Sequence, residues 1–232
     1  MTTHQIERIW LWFFPRRCVW CMDVTEPDHM LCADCIDIQA QQLEPTHIEN
    51  TQFKHVAVFS YHSKARRILL NVKYHGGRKN AYSIGYAMAD ALRKAKPAEE
   101  DFLFCAVPMT KKQLKKREFN QSELLAKSAA KWLDASHAPL LHKTRETQAQ
   151  HDLPAHKRTS NVTGAYIVTQ PKLVKNRKIV LCDDICTTGA TMRVCANALQ
   201  DAGAKEVICL SYLRTDLDKE RVSENTRASN RR

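Results

Sequence analysis

Short, mostly apolar runs alternate along the chain with longer segments whose apolar residues return every three or four positions. Residues 56–61 (VAVFSY), 102–107 (FLFCAV), 179–182 (IVLC) and 205–213 (KEVICLSYL) read as strands. Between them, residues 64–73 carry Ile68, Leu69 and Val72 at helical spacing and stop at Gly76 and Gly77. Asn80 is placed to cap a helix that runs to Lys96, ahead of Pro97. Asn120 opens another, with Leu124, Leu125, Ala129, Trp132 and Leu133 on one face, and residues 192–202 form a third, closed by Gly203. Leu140-Leu141 and residues 165–168 read as short extended pieces. Strands without a polar face are buried on both sides, so the alternation predicts an α/β fold: a mostly parallel sheet flanked by helices.

One stretch organises the rest: Ile179-Val-Leu-Cys-Asp-Asp-Ile-Cys-Thr-Thr-Gly-Ala-Thr191. The apolar run ends in Asp183 and Asp184, at the expected C-terminal edge of the strand. Thr187, Thr188, Gly189, Ala190 and Thr191 then make a small-residue turn into a helix. Such a turn lets backbone N–H groups close on an anion, and the helix N-terminus adds positive partial charge. Two acids beside an anion cradle suit a ligand that also carries hydroxyls. A ribosyl phosphate meets both demands, with its phosphate in the turn and its 2- and 3-hydroxyls on the acids. The stretch resembles the phosphoribosyl-pyrophosphate (PRPP) motif of type I phosphoribosyltransferases. It is not a Walker loop, since Gly189 is not followed by Lys and Ser or Thr.

Composition narrows the setting. The 232 residues allow one medium domain and an appendage. Hydrophobic residues make up 44%, enough for a packed core. No apolar run approaches a membrane span, and the run at residues 9–14 is short for a signal sequence and is followed by a Cys-x-x-Cys. The expected location is therefore the cytoplasm, where Cys182, Cys186, Cys195 and Cys209 read as reduced core thiols. The net charge of +11 is uneven: three basic residues face eight acids within residues 1–50, so the basic excess lies in the body. A basic body suits a pyrophosphate or a nucleic acid.

Residues 1–50 read as a zinc-binding extension and linker. Cys18-x-x-Cys21 and Cys32-x-x-Cys35 supply four thiolates. A redox pair or an iron–sulfur cluster uses similar spacing, but four sulfurs in a small module favour a structural, tetrahedral zinc that folds a unit too small to hold itself. Residues 41–52 are polar and read as linker, residues 51–214 as the main domain, and residues 215–232 as a disordered charged tail.

Two further segments flank the expected sheet edge. Pro108, Met109, Lys111 and Arg117 lie in a lysine-rich stretch after the second strand, where a pyrophosphate would be held. Residues 144–161 form a long polar excursion, read as a mobile lid in which Arg145, Gln148, Arg158 and Asn161 contact anion or sugar.

The two Cys-x-x-Cys pairs, VPMTKKQLKKREFNQ, TRETQAQHDLPAHKRTSNVTGAY and IVLCDDICTTGAT occur in an order that resembles the ComF family (competence protein F, GntX-like). The resemblance covers most of residues 18–213. It implies a type I phosphoribosyltransferase fold with a zinc-binding extension, and a link to competence and use of imported DNA. That family reads Arg-Gly before Phe-Asn-Gln; here Glu118 takes the glycine's place, adding a carboxylate beside the pyrophosphate position.

Two functions follow as expectations. In the first, a phosphoribosyltransferase binds PRPP with Mg²⁺. Asp183, Asp184 and Arg117 are its catalytic residues, and Thr187, Thr188, Gly189, Ala190, Thr191, Pro108, Met109, Lys111 and Arg145 hold PRPP for transfer to a nucleobase or nucleotide-like acceptor. In the second, the chain is an adaptor that handles single-stranded DNA beside a competence helicase, with little or no turnover.

Overall fold

A computed structural model describes residues 18, 23–26, 31–39, 43–48, 51–61, 63–74, 78–96, 101–145 and 164–215. In chain order these form α1 (Ala33–Gln39), β1 (Thr46–His47), β2 (Lys54–Ser60), α2 (Ser63–Tyr74), α3 (Arg78–Ala95), β3 (Phe102–Ala106) and α4 (Lys111–Arg117). Then follow α5 (Gln121–Trp132), β4 (Ser136–His137), β5 (Leu141–Lys143), β6 (Tyr166–Val168), α6 (Pro171–Val174), β7 (Lys178–Cys186), α7 (Ala190–Asp201) and β8 (Glu206–Arg214).

Six strands make one sheet in the order β1-β2-β8-β7-β3-β4. Every neighbouring pair is parallel except β1 with β2, which gives the edge an antiparallel strand. β5 and β6 pair separately as an antiparallel ribbon. The doubly buried strand expected at residues 179–182 is present: Ile179 and Leu181 pack into one apolar cluster, Val180 and Cys182 into the other. One face of the sheet carries α3 and α5, with Ile84, Met88, Leu92 and Leu125 buried against Phe104, Val180 and Leu210. The other carries α7, with Met192, Cys195 and Leu199 against Cys105, Leu181 and Val207. The helices α3 and α5 approach closely at Gly85, where a Cβ would stand 2.4 Å from Ser128 Cβ.

Several bounds differ from the sequence reading, each for a local reason. Strand β7 continues through both acids to Cys186 because β8 pairs with it along its whole length, Asp183 opposite Ser211 and Cys186 opposite Arg214. Asp183 and Asp184 therefore sit inside the last turns of the strand, not past its end. The polar stretch at 41–52 holds β1, followed by buried Ile48, because Thr46 and His47 pair with His55 and Lys54. Helix α3 starts at Arg78, so Asn80 lies within it and is not its cap. The glycine stop at Gly76 and Gly77, most of the 144–161 excursion with Gln148, Arg158 and Asn161, and the 215–232 tail beyond Thr215 lie outside the described residues.

Among the described residues no helix is long and apolar enough to cross a membrane.

Candidate functional site: an acid pair beside a threonine-glycine turn

Two loops leave the C-terminal edge of the parallel sheet side by side, and a separate two-stranded ribbon completes the site. The first loop follows β7. Gly189 caps α7 with φ 71° and ψ 0°, a left-handed conformation that L side chains resist. Space is tight as well, since a Cβ at Gly189 would lie 3.0 Å from Ile48 Cγ2, which would have to give way. The dihedral is the stronger of the two demands for glycine. The Arg193 N–H donates to the Gly189 carbonyl at 2.8 Å, the first hydrogen bond of α7. Thr187, Thr188 and Thr191 are each half-buried around this turn.

Asp183 and Asp184 stand immediately before this turn. Asp183 Oδ1 accepts from Ser122 Oγ at 2.8 Å and from the Asp184 N–H at 2.9 Å; Asp184 Oδ1 accepts from the Ile185 N–H at 2.8 Å. Burial, and then the neighbouring charge of Asp184, push the Asp183 carboxyl well above the usual carboxylate range, although its two donors pull the other way. A carboxyl held like this takes up its charge readily only when a ligand brings donors or a cation.

The neighbouring loop leaves β3, which runs beside β7 with Ala106 opposite Cys182. Pro108 and Met109 are half-buried there, and the Asn120 side-chain amide donates to the Val107 carbonyl at 3.0 Å. The lysine-rich stretch expected as a turn is the helix α4. Thr110 Oγ1 accepts from the Gln113 N–H while Gln113 Oε1 accepts from the Thr110 N–H, a reciprocal cap that starts a helix despite the charge. Lys111 and Arg117 both belong to it and are exposed; Arg117 Nη1 reaches Gln121 Oε1 at 3.4 Å. Glu118 ends it with φ 66°. A left-handed residue is what glycine supplies at this point, which is the physical sense of the Arg-Gly pattern that Glu118 replaces.

The third contributor is the β5–β6 ribbon. Tyr166 is buried and its hydroxyl hydrogen-bonds the Thr191 side chain. Lys143, also buried, stands 5.6 Å above the Tyr166 ring. Arg145 follows on the exposed side of the ribbon.

The chain thus brings Pro108, Met109, Asp183, Asp184 and the residues from Thr187 to Thr191 to one sheet edge. Sequence reasoning missed Ser122, Tyr166 and Lys143. Ser122 lay one residue past a recognised pattern with nothing to mark its side chain, and Lys143 looked like one more surface lysine. The apolar pair Leu140-Leu141 pointed to a short strand, but nothing marked Lys143 as its buried end.

At the other end of the chain, the sulfur atoms of Cys18, Cys32 and Cys35 lie within 4.8 Å of one another. The Cys35 and Ile36 N–H groups both donate to the Cys32 carbonyl at 3.0 Å, and the Cys18 N–H to the Asp23 carbonyl at 2.8 Å. These turns aim thiols inward, and three converging thiols fit a metal. Cys21, the fourth expected ligand, lies outside the described residues. Cys18 and Cys35 belong to the same apolar cluster as Val56, Val58, Ile68 and Leu69.

Comparison with known proteins adds lineage to this geometry. The phosphoribosyl transferase domain family matches residues 120–227. The DNA utilization protein YhgH of Escherichia coli is 35% identical over 108 residues, which cover 45% of this chain and 47% of that protein. The match thus spans about half the length of that relative. The competence protein ComFC of Streptococcus pneumoniae is 31% identical over 170 residues, 72% of this chain and 70% of that one. ComFC of Bacillus subtilis is 25% identical over 178 residues, 75% of this chain and 68% of that one.

Proposed function

The chain belongs to the ComF family, and on that premise we propose that it binds PRPP at the Asp183–Thr191 edge and acts there as a phosphoribosyltransferase in the handling of DNA-derived material. The observation that carries this reading is the adjacency of the two carboxyls of Asp183 and Asp184 to the turn at Gly189, on the C-terminal edge of a parallel sheet.

Each part has a physical task. The turn from Thr187 to Thr191 offers N–H groups and hydroxyls to the 5-phosphate, at the positive end of α7. Asp183 and Asp184 accept from the 2- and 3-hydroxyls of the ribose. Lys111 and Arg117, on the neighbouring helix, face the pyrophosphate, and Arg145 approaches from the ribbon. Transfer breaks the bond between C1 and pyrophosphate through an oxocarbenium-like state. Fixed acceptors on the ribose and fixed cations on the leaving group favour that charge separation. Mg²⁺ bound with PRPP would supply positive charge for the leaving pyrophosphate. The acceptor is a nucleobase or nucleotide-like molecule. Cys18, Cys21, Cys32 and Cys35 hold a structural zinc, and the chain works in the cytoplasm. A screen for pyrophosphate release from PRPP against bases and nucleotides tests the transferase reading. Release with one acceptor class supports it, and no release with any sinks it.

A second reading has an observation of its own. Helix α4 buries no side chain, and its Lys111, Lys112, Lys115, Lys116 and Arg117 are all exposed. Among the described residues none of the five is paired with an acid. One pyrophosphate does not need five cations spread around a helix, whereas the backbone of a single-stranded nucleic acid does. On this reading the chain is an adaptor for single-stranded DNA beside a competence helicase. Salt titration of oligonucleotide binding, with and without PRPP, separates the two: a steep salt slope that PRPP leaves unchanged favours the adaptor, and competition places both ligands at one edge.

A further inference from the structure

We infer that Ser122 is a positioning residue of the ribose site: its hydroxyl fixes the Asp183 carboxyl so that one edge of the acid is presented to the hydroxyls of a bound ribosyl phosphate. The inference rests on the reading of Asp183 as a ribose acceptor and names a residue through which that acid acts.

Ser122 lies in the first turn of α5 and is only 3% exposed. A serine at such a position ordinarily satisfies its hydroxyl on its own helix. Here Oγ instead donates across the helix–sheet interface to Asp183, 61 residues away in sequence, at 2.8 Å. The same oxygen, Oδ1, also accepts the Asp184 N–H at 2.9 Å. Two donors fill the lone pairs of one carboxyl oxygen. The Asp184 side chain also meets the Asp183 carboxyl. The two bonds on Oδ1 set the direction in which the other oxygen points.

The donor itself cannot wander. Leu125, Ala126, Ala129 and Ala130 anchor α5 in the core beside Phe104 and Val180. The helix begins at Asn120, whose side chain is tied to the Val107 carbonyl at the exit of β3. Ser122 thus relays the position of the neighbouring strand to the acid on β7. Sites built on packed elements in this way hold geometry better than sites held by loops alone. Without the serine, the Asp184 N–H alone holds Oδ1 of a carboxyl that also feels the charge beside it, and the other oxygen loses its fixed direction.

The test uses the full chain and two probes. Ribose 5-phosphate engages both turn and acids; inorganic phosphate engages the turn alone. Calorimetric titration of the wild type is expected to favour ribose 5-phosphate. Ser122→Ala is expected to lose about tenfold in affinity for ribose 5-phosphate, the effect of one charged hydrogen bond, and to keep its affinity for inorganic phosphate. Ser122→Thr, which retains the hydroxyl, is expected to restore the sugar phosphate. Equal losses for both probes would mean a general distortion and overturn the inference, as would no loss for either. If Ser122→Ala does not fold, Ser122→Cys fills the same volume with a poor donor and carries the same expectation. A wild type that binds the two probes equally would remove the ribose reading itself, and the inference with it.

Discussion

Ile48 closes over Gly189: its Cγ2 methyl lies 3.0 Å from where a Cβ on the glycine would stand. The contact joins the edge strand, read from sequence as linker, to the turn that defines the site. Gly189→Ala must meet both this contact and a φ of 71°. It is expected to lower stability by about 1–2 kcal/mol and to abolish phosphate binding by displacing the turn. Adding Ile48→Ala relieves the contact but not the dihedral, so the double variant should recover only part of the stability. Denaturant midpoints of the three chains measure this. Full recovery in the double variant would show that the left-handed conformation is not needed.

Glu118 offers the opposite case, a non-glycine residue with φ 66° on an exposed helix end. Glu118→Gly is expected to raise stability by about 1 kcal/mol. It also removes a carboxylate from the helix end that carries Arg117, so pyrophosphate should bind more tightly. An unchanged melting midpoint together with unchanged pyrophosphate affinity would contradict both effects.

The pH dependence of stability has two opposed contributions. Asp183 has its pKa raised in the folded chain by burial and by Asp184. Its contribution is therefore fully present below the ordinary carboxylate range and is lost as pH rises through the raised value. Asp183→Asn keeps an oxygen for Ser122 and the Asp184 N–H but has no proton to lose. It should flatten that fall, leaving the variant relatively more stable toward alkaline pH. A wild type and variant whose difference does not change with pH would refute this.

His55 works the other way. It is buried, its Nε2 lies 2.9 Å from Ser211 Oγ, and burial followed by Arg214 holds its pKa down at about 4 from 6.5. The Ser211 hydroxyl donates onward to the Leu213 carbonyl at 3.0 Å, so the ring nitrogen donates to Ser211 and the ring is neutral. Its contribution is present above about 6.5 and is lost as pH falls through about 4. His55→Gln should remove this acid-side loss, read as a smaller drop in melting temperature between neutral and mildly acidic buffer. An equal drop in the variant would assign the acid lability elsewhere.

The cysteine module invites a test of cooperativity. Cys18 and Cys35 are buried with Val56, Ile68 and Leu69 of the main domain. Chelation, or Cys35→Ala, is therefore expected to lower the melting temperature of the whole chain in one transition. An unchanged main transition with a separate early one would instead describe an extension that folds alone. Metal analysis that found iron would redirect the assignment from zinc.

What the sequence disclosed, and what it withheld, follows from the range of the interactions involved. The doubly buried β7, the helix starting after Asn120 and the turn at Gly189 were legible because apolar runs, caps and glycine act within a few residues. The extension of β7 past its acids was not, because it depends on pairing with β8. Helix α4 was hidden for a different reason. Five cations mask the only short-range signal, the pairing of Thr110 with Gln113. The acids were found by pattern, but the donor that orients Asp183 lies 61 residues away. No local rule links Ser122 to that position.

The central claim is that Asp183 and Asp184 serve a ligand rather than the fold. Both keep backbone donors that an asparagine oxygen can also accept, so Asp183→Asn with Asp184→Asn should melt no earlier than the wild type. Loss of two charged acceptors should weaken PRPP by roughly 3–6 kcal/mol, or about two to four decades. Calorimetric titration of this double variant with PRPP and Mg²⁺, set beside its thermal melt, is the most direct measurement. The account predicts lost binding at retained stability. Unchanged PRPP affinity, or a large drop in melting temperature with binding intact, would contradict it.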